Sequence, residues 1–118
     1  MMLALTKGDK TKPGAQIAPE RSNIMAEFTV TSVIDGDTFD VSPDWKWNGQ
    51  TGSRVRPTGY DAPELHAVGG QAAKDKLSGL ILGKKVVLGT AHTIDRGRLV
   101  CDVFFNGRNL ADYFPDFK

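Results

Sequence analysis

The sequence predicts a mainly β domain, a small barrel of five strands with one helix between the third and fourth strands. Short segments in which apolar and polar residues alternate recur along the chain, separated by Asp-Gly and Asn-Gly pairs typical of hairpin turns. One segment, Gln71 to Leu82, has apolar residues at helical spacing, and Gly83 follows where a helix commonly ends. This combination predicts an α+β fold of the OB-barrel type.

The elements follow from local patterns. The predicted strands are EFTVTSVI, DTFDV, RVRPTGY, KKVVLGTA and RLVCDVFF. Between the second and third strands, SPDWKWNGQTGS is rich in turn residues and predicts a loop or a long hairpin tip, with Trp45 and Trp47 packing across it. Near the end of the chain, RNLADYF predicts a short helix that stops before Pro115.

Composition favours one globular domain. The chain has 118 residues, of which 40% are hydrophobic and 25% charged, enough for a single core. Residues 1–25 lack apolar periodicity and are interpreted as a disordered leader or linker, so the domain spans residues 26–118. The opening MMLAL is too short for a signal-peptide core. Cys101 is the only cysteine, which excludes an internal disulfide and favours a buried, inert thiol.

The segment VIDGDTF contains two aspartates in a predicted hairpin. Asp35-Gly36 is a typical turn pair in which the glycine is expected to take a positive φ. Asp37 has the parity of the apolar residues Phe39 and Val41, so its carboxylate should point toward the core. A buried carboxylate is costly unless it is paired, hydrogen-bonded or bound to a metal. We therefore expect Asp37 to face a cation.

Acidic and basic residues near Asp37 suggest a chemistry. Asp61 is predicted to end the third strand and Glu64 to lie in the turn just after it, while Arg56 lies five residues before Asp61 and Arg98 follows the glycine of DRGR. Carboxylates without a His/Cys cluster suit calcium or magnesium rather than zinc, and paired arginines suit a phosphate. The net charge of +1 argues against nucleic-acid binding by bulk charge alone. Together these residues suggest phosphodiester hydrolysis.

Four motifs in order, VIDGDTF, VRPTGYDAPEL, GKKVVL and DRGRLVCDVFFNGRNLA, resemble the staphylococcal-nuclease-like (thermonuclease) family from about Phe28 to Tyr113. The resemblance implies an OB-fold and a calcium-dependent endonuclease that hydrolyses DNA and RNA with little sequence preference, cutting the 5′ P–O bond. It also implies a C-terminally shortened domain, because the chain ends at Lys118. A secreted or periplasmic location is plausible from the resemblance, and a monomer is expected.

The resemblance also implies roles for individual residues. Asp37 and Asp61 would bind Ca²⁺ through their carboxylates and Ala62 through its backbone carbonyl, while Asp35 would hold water in the outer shell. Glu64 would orient or deprotonate the attacking water.

The same resemblance gives both arginines a catalytic role. Arg56 and Arg98 would bind the phosphate and stabilise its developing charge. Two alternatives stay open. One is a non-catalytic OB-type module that binds nucleic acid or protein, and the other is an inactive fragment of a nuclease.

Overall fold

The computed structural model describes residues 23–118 of the chain. The strands are β1 (Asn23–Asp35), β2 (Thr38–Trp47), β3 (Gln50–Pro57), β4 (Lys85–Asp95), β5 (Arg98–Phe105) and the two-residue β6 (Arg108–Asn109). The helix α1 (Gly70–Ile81) lies between β3 and β4, and two 3₁₀ turns follow β6 (Leu110–Tyr113 and Pro115–Phe117). Most of the predicted leader lies outside the described residues, and β1 begins at Asn23, three residues before the predicted domain boundary.

The strands form a closed mixed barrel. The order along the sheet is β3-β2-β1-β4-β5-β6, with antiparallel neighbours, and β3 also pairs with β5 in parallel. This last pairing, through Val55 and Leu99, Arg56 and Val100, and Pro57 and Cys101, closes the barrel. The predicted OB-like barrel of five strands with one helix after the third is confirmed.

The core lies inside the barrel and beneath α1. Alternate residues of β5 are buried, as the period of a strand requires: Leu99, Cys101, Val103 and Phe105. The helix adds Leu77 and other apolar side chains of the same face. Burial raises the pKa of the Cys101 thiol to about 12, which agrees with the expected inert cysteine.

The segment between the second and third predicted strands is a long hairpin. It turns at Asn48 and Gly49, whose φ values of 53° and 78° match a tight turn between antiparallel strands. Trp45 is only 2% exposed, and its indole N–H donates to the carbonyl of Arg54 at 2.9 Å. A Cβ at Gly52 would lie 2.9 Å from the Trp45 ring. Trp45 therefore packs across the hairpin, as predicted.

Candidate active site

One cleft of about 490 Å³ brings together all six predicted site residues, which are Asp37, Arg56, Asp61, Ala62, Glu64 and Arg98. The same cleft is lined by Asp35, Leu65, His66, Asp95 and Arg96. A larger cavity of about 670 Å³ borders Glu27, Lys85 and Phe104, and none of the six lines it. The 490 Å³ cleft is therefore the candidate active site.

Asp37 lies in the turn between β1 and β2, and it is only 7% exposed, as its parity predicted. Its Oδ2 accepts the backbone N–H of Ala62 at 3.0 Å and lies 3.5 Å from Nη2 of Arg56. Burial and the adjacent Asp35 side chain raise the pKa of Asp37 to about 6, against the opposing effects of Arg56 and the Ala62 N–H. The negative charge of Asp37 is thus only partly compensated.

The glycine of VIDGDTF, Gly36, lets neighbouring segments pack closely against the turn. Gly36 does not have a positive φ, so the expectation of a left-handed turn glycine was wrong. A Cβ at Gly36 would lie 2.6 Å from the Cβ of Ala73 on α1 and 2.7 Å from that of Ala62. The absence of a side chain lets the helix and the loop after β3 close over the turn. Gly36 therefore allows Ala62 to reach Asp37.

Arg56 is held in place by two backbone carbonyls. Its Nη1 donates to the carbonyls of Pro57 and Tyr60, the latter at 3.0 Å, and its Nη2 donates to Oδ1 of Asp61 at 3.0 Å. Asp61 was predicted at the end of a strand, but β3 ends at Pro57 and Asp61 lies in the following loop. The strand ends early because Pro57 and the residues after it leave the sheet at Gly59, whose φ is 95°.

Arg98 is also pre-positioned. Its Nη2 donates to Oδ2 of Asp95 at 2.8 Å, its Nε to the Asp95 carbonyl at 3.3 Å, and its Nη1 to Oγ1 of Thr38 at 3.3 Å. Thr38 is buried beside Asp37, and its hydroxyl lies 3.4 Å from Oδ1 of that residue. The Arg98 side chain is only 18% exposed, and its guanidinium lines the cleft in an orientation fixed by these bonds.

Sequence reasoning missed Thr38, Asp95 and Tyr60 as site residues. The hydroxyl of Tyr60 donates to the carbonyl of Gly36 at 2.8 Å, and its own carbonyl accepts from Arg56. Thr38 and Asp95 lie inside the motifs VIDGDTF and DRGR, so their place in those motifs was an available signal. Tyr60 lies inside the motif VRPTGYDAPEL, but its hydroxyl contact to Gly36 spans 24 residues of sequence and could not be read from the motif.

Glu64 is the least constrained carboxylate of the cleft. Its side chain is exposed, and it makes no hydrogen bond or ion pair with any residue of the described range 23–118. Its backbone is fixed, since its carbonyl accepts the N–H of Ala67 at 2.9 Å and lies where a Cβ at Gly70 would collide with it. A carboxylate whose backbone is fixed and whose oxygens accept no hydrogen bond from the protein can receive a proton from a bound water.

The charges in the cleft leave a negative excess. Five carboxylates face three guanidinium groups, which leaves two uncompensated negative charges: Asp35, Asp37, Asp61, Glu64 and Asp95 against Arg56, Arg96 and Arg98. Carboxylate and carbonyl oxygens are the ligands that calcium and magnesium prefer. The donor chemistry and the charge of the cleft therefore fit a hard divalent cation.

The positions of the carboxylates add a second observation. Within residues 23–118, no three His, Cys, Asp or Glu side chains are grouped so that they could hold a metal ion. Asp37 and Asp61 instead both face Nη2 of Arg56, at 3.5 and 3.0 Å. The Asp61 side chain is 86% exposed, so its carboxylate can rotate without disturbing the core.

Comparison with known proteins gives limited information. No protein-family model matches the chain. The chain is similar to Protein ParB of Escherichia coli, with 34% identity over 77 residues, which make up 65% of this chain and 41% of ParB. The chain thus spans about two fifths of the length of this relative. No helix within residues 23–118 combines the length and the apolar composition that crossing a membrane requires.

Proposed function

We propose that this protein is a calcium-dependent nuclease that hydrolyses phosphodiester bonds in DNA and RNA with little sequence preference. One observation carries the proposal. A single cleft contains two backbone-anchored arginines, a buried aspartate with a raised pKa, and an exposed glutamate without a partner among the described residues. The resemblance of the motifs to the thermonuclease family supports the same reaction.

The two arginines would bind the scissile phosphate. Arg56 and Arg98 are each less than one fifth exposed, and their guanidinium groups are oriented by backbone carbonyls as well as by carboxylates. A guanidinium matches two phosphate oxygens at once and needs little reorganisation when its orientation is already fixed. The two arginines would therefore stabilise the additional negative charge on the non-bridging phosphate oxygens as water adds to phosphorus.

Glu64 would act as the general base. A water molecule bound beside its carboxylate would lose a proton to Glu64 as the water oxygen forms a bond to phosphorus. The bond from phosphorus to the 5′-oxygen breaks, and that oxygen leaves with its electron pair and takes up a proton from solvent. General bases of this kind contribute roughly 10²- to 10⁴-fold to a rate.

Asp37, Asp61 and the carbonyl of Ala62 would hold the calcium ion. When bound, the ion would neutralise the excess negative charge of the cleft and polarise a phosphate oxygen. Asp37 is buried and accepts the Ala62 N–H at 3.0 Å, whereas the Asp61 side chain is exposed, so Asp37 would serve as the rigid ligand.

Incubation with labelled single-stranded DNA and RNA, first with calcium and then with EDTA, tests the function. We expect cleavage of both polymers with calcium and none with EDTA. Cleavage that is insensitive to EDTA would contradict the calcium requirement. Absence of cleavage in the full chain would contradict the enzymatic proposal.

A substitution at Glu64 tests its role as the general base. We expect Glu64→Gln to lower turnover by roughly 10²-fold or more while the melting temperature stays unchanged. Glu27→Gln is the matched control, because Glu27 is also exposed but lines a different cavity. Equal turnover in the two variants would remove Glu64 from the reaction.

A non-catalytic module that binds nucleic acid is the second candidate function. The arrangement of Asp37 and Asp61 around Arg56, without a group of three metal-ligating side chains in residues 23–118, favours it. Such a module would bind a labelled oligonucleotide equally well with calcium and with EDTA, and would leave it intact. The nuclease would cut it only with calcium.

A further inference from the structure

The loop that carries Asp61 contacts the C-terminal strap, which we define as residues 110–117 with its two 3₁₀ turns. Residues 59–61 each touch a different strap residue at a spacing of three. A Cβ at position 59 would lie 2.8 Å from the Cβ of Ala111. The ring at position 60 stacks on Phe114, with centroids 4.6 Å apart and planes at 3°. The backbone N–H at position 61 donates to the carbonyl of Phe117 at 2.9 Å.

The 3₁₀ geometry explains this spacing. The two 3₁₀ turns meet at Phe114, whose φ of −127° and ψ of 59° lie outside the 3₁₀ region, and in each turn an N–H bonds to the carbonyl three residues earlier. Backbone hydrogen bonds maintain this register, because the N–H of Phe114 donates to Ala111 at 3.0 Å and that of Phe117 to Phe114 at 3.1 Å. These hydrogen bonds fix Ala111, Phe114 and Phe117 at a spacing of three, and each of them contacts one of three consecutive loop residues.

The strap is itself fixed to the rest of the domain. Phe114 is only 1% exposed, and the ammonium group of Lys76 on α1 lies 4.6 Å from its ring centroid. The hydroxyl of Tyr113 donates to the carbonyl of Phe105 on β5 at 3.1 Å. Contacts with the helix and with the barrel make the strap a rigid support rather than a loose end.

The supported loop residues in turn position the cleft. Tyr60, stacked on the strap, donates its hydroxyl to Gly36 in the turn that bears Asp37, and its carbonyl accepts from Arg56 at 3.0 Å. Asp61 then places its carboxylate 3.0 Å from the same guanidinium. The strap thus bonds directly to the backbone of Asp61, a metal-ligand candidate, and reaches the guanidinium of Arg56, a phosphate-binding candidate, through Tyr60.

We propose that Phe114 and Phe117 of the C-terminal strap are positioning residues, which set the backbone at Tyr60 and Asp61 and thereby orient the cleft for phosphodiester hydrolysis. The inference rests on the proposed function for its effect on turnover. Its effect on the loop does not depend on any activity.

The test uses Phe117→Ala in the full chain. Phe117 is partly exposed and its ring lies 6.2 Å from that of Phe114, so the loss of the ring loosens the end of the strap without opening the core. Phe104→Ala is the matched control, because Phe104 is also partly exposed and lines the other cavity. Phe117→Tyr keeps the ring and serves as the conservative variant.

Two measurements are made at a temperature at which all variants are fully folded by circular dichroism. We expect the amide of Asp61 to exchange with solvent roughly tenfold faster in Phe117→Ala, and at the wild-type rate in Phe104→Ala and Phe117→Tyr. We also expect turnover to fall roughly tenfold or more in Phe117→Ala alone.

The outcomes separate the two proposals. Unchanged exchange at Asp61 in Phe117→Ala, or equal turnover in Phe117→Ala and Phe104→Ala, would overturn the positioning role. A wild-type protein that cleaves no nucleic acid would overturn the proposed function, and the exchange rate at Asp61 would still decide whether the strap positions the loop.

Discussion

Asp37 and Asp40 lie three residues apart, and each faces an arginine of β3, but their carboxyl pKa values shift in opposite directions. Arg54 donates to both oxygens of Asp40 at 2.9 and 3.2 Å, and the hydroxyl of Ser32 adds a third bond at 3.0 Å. These contacts hold the pKa of Asp40 below its usual value. Asp37, by contrast, has its pKa raised to about 6.

The opposite pKa shifts have two causes: Asp37 is more deeply buried than Asp40, and it shares its arginine with other groups. Asp40 lies on the outer face of the barrel, and among residues 23–118 the guanidinium of Arg54 donates to no other side chain. Asp37 is buried, its distance to Arg56 is 3.5 Å, and that guanidinium also serves Asp61 and two backbone carbonyls. Desolvation of the charged form therefore outweighs the attraction to the cation at Asp37.

The comparison separates a structural ion pair from a candidate functional group. In the pair formed by Asp40 and Arg54, the charge of the carboxylate is compensated by the guanidinium. Asp37 lowers the stability of the folded state at neutral pH, and a bound cation would remove that cost. Groups that destabilise a fold in this way are concentrated at functional sites.

The largest expected difference is in turnover. Arg56→Ala should lower turnover with calcium by roughly 10²-fold or more, because the guanidinium would stabilise charge that develops in the transition state. Arg54→Ala should leave turnover within about twofold of wild type, since Arg54 does not line the cleft. Steady-state rates on labelled DNA measure both effects. Equal losses would mean that the two pairs do not differ in function.

The second difference is in the response to calcium. At about a hundredfold excess over its dissociation constant, calcium should stabilise the wild-type protein by roughly 2.7 kcal/mol and raise its melting temperature on the order of 10 °C. Asp37→Asn should abolish most of this shift, whereas Asp40→Asn should retain it. Melting curves with calcium and with EDTA measure the shift. A full shift in Asp37→Asn would exclude Asp37 as a ligand.

The third difference is in how the stability of the metal-free protein depends on pH. The pKa of Asp37 is higher in the folded state than its ordinary value, so its contribution to stability is greatest below about 3.8 and declines as pH rises to about 6. Asp37→Asn should remove this decline and be equally or more stable at neutral pH. Denaturant unfolding across this range in EDTA measures it. A wild-type profile unchanged by the substitution would contradict the raised pKa.

The smallest effect is expected at the outer pair. The pKa of Asp40 is lowered in the folded state, so its contribution is present above the ordinary pKa and is lost as pH falls below it. Asp40→Asn should lower the free energy of unfolding at neutral pH by less than about 1 kcal/mol, because Arg54 is 45% exposed and solvent screens the pair. Chemical denaturation measures the change, and a loss of several kcal/mol would show a larger structural role.

Local patterns in the sequence were sufficient for the elements of the fold. Alternation predicted the strands and the inward position of Asp37, and helical spacing predicted Gln71 to Leu82 against the observed Gly70–Ile81. Gly83 has the positive φ of 78° expected after a helix. These features are set by backbone geometry over a few residues, so the sequence alone determines them.

Tertiary structure alone decided how the cleft is assembled. The parallel pairing of β3 with β5 brings Arg56 and Arg98 to one cleft, and the strap supports Asp61 and Tyr60 through contacts with Phe114 and Phe117. Periodicity states which face of an element is buried, but not which distant element covers it. The sharing of one guanidinium by two carboxylates, and with it the raised pKa of Asp37, depends on that choice of partner. These properties depend on contacts between elements distant in sequence, so only the tertiary structure determines them.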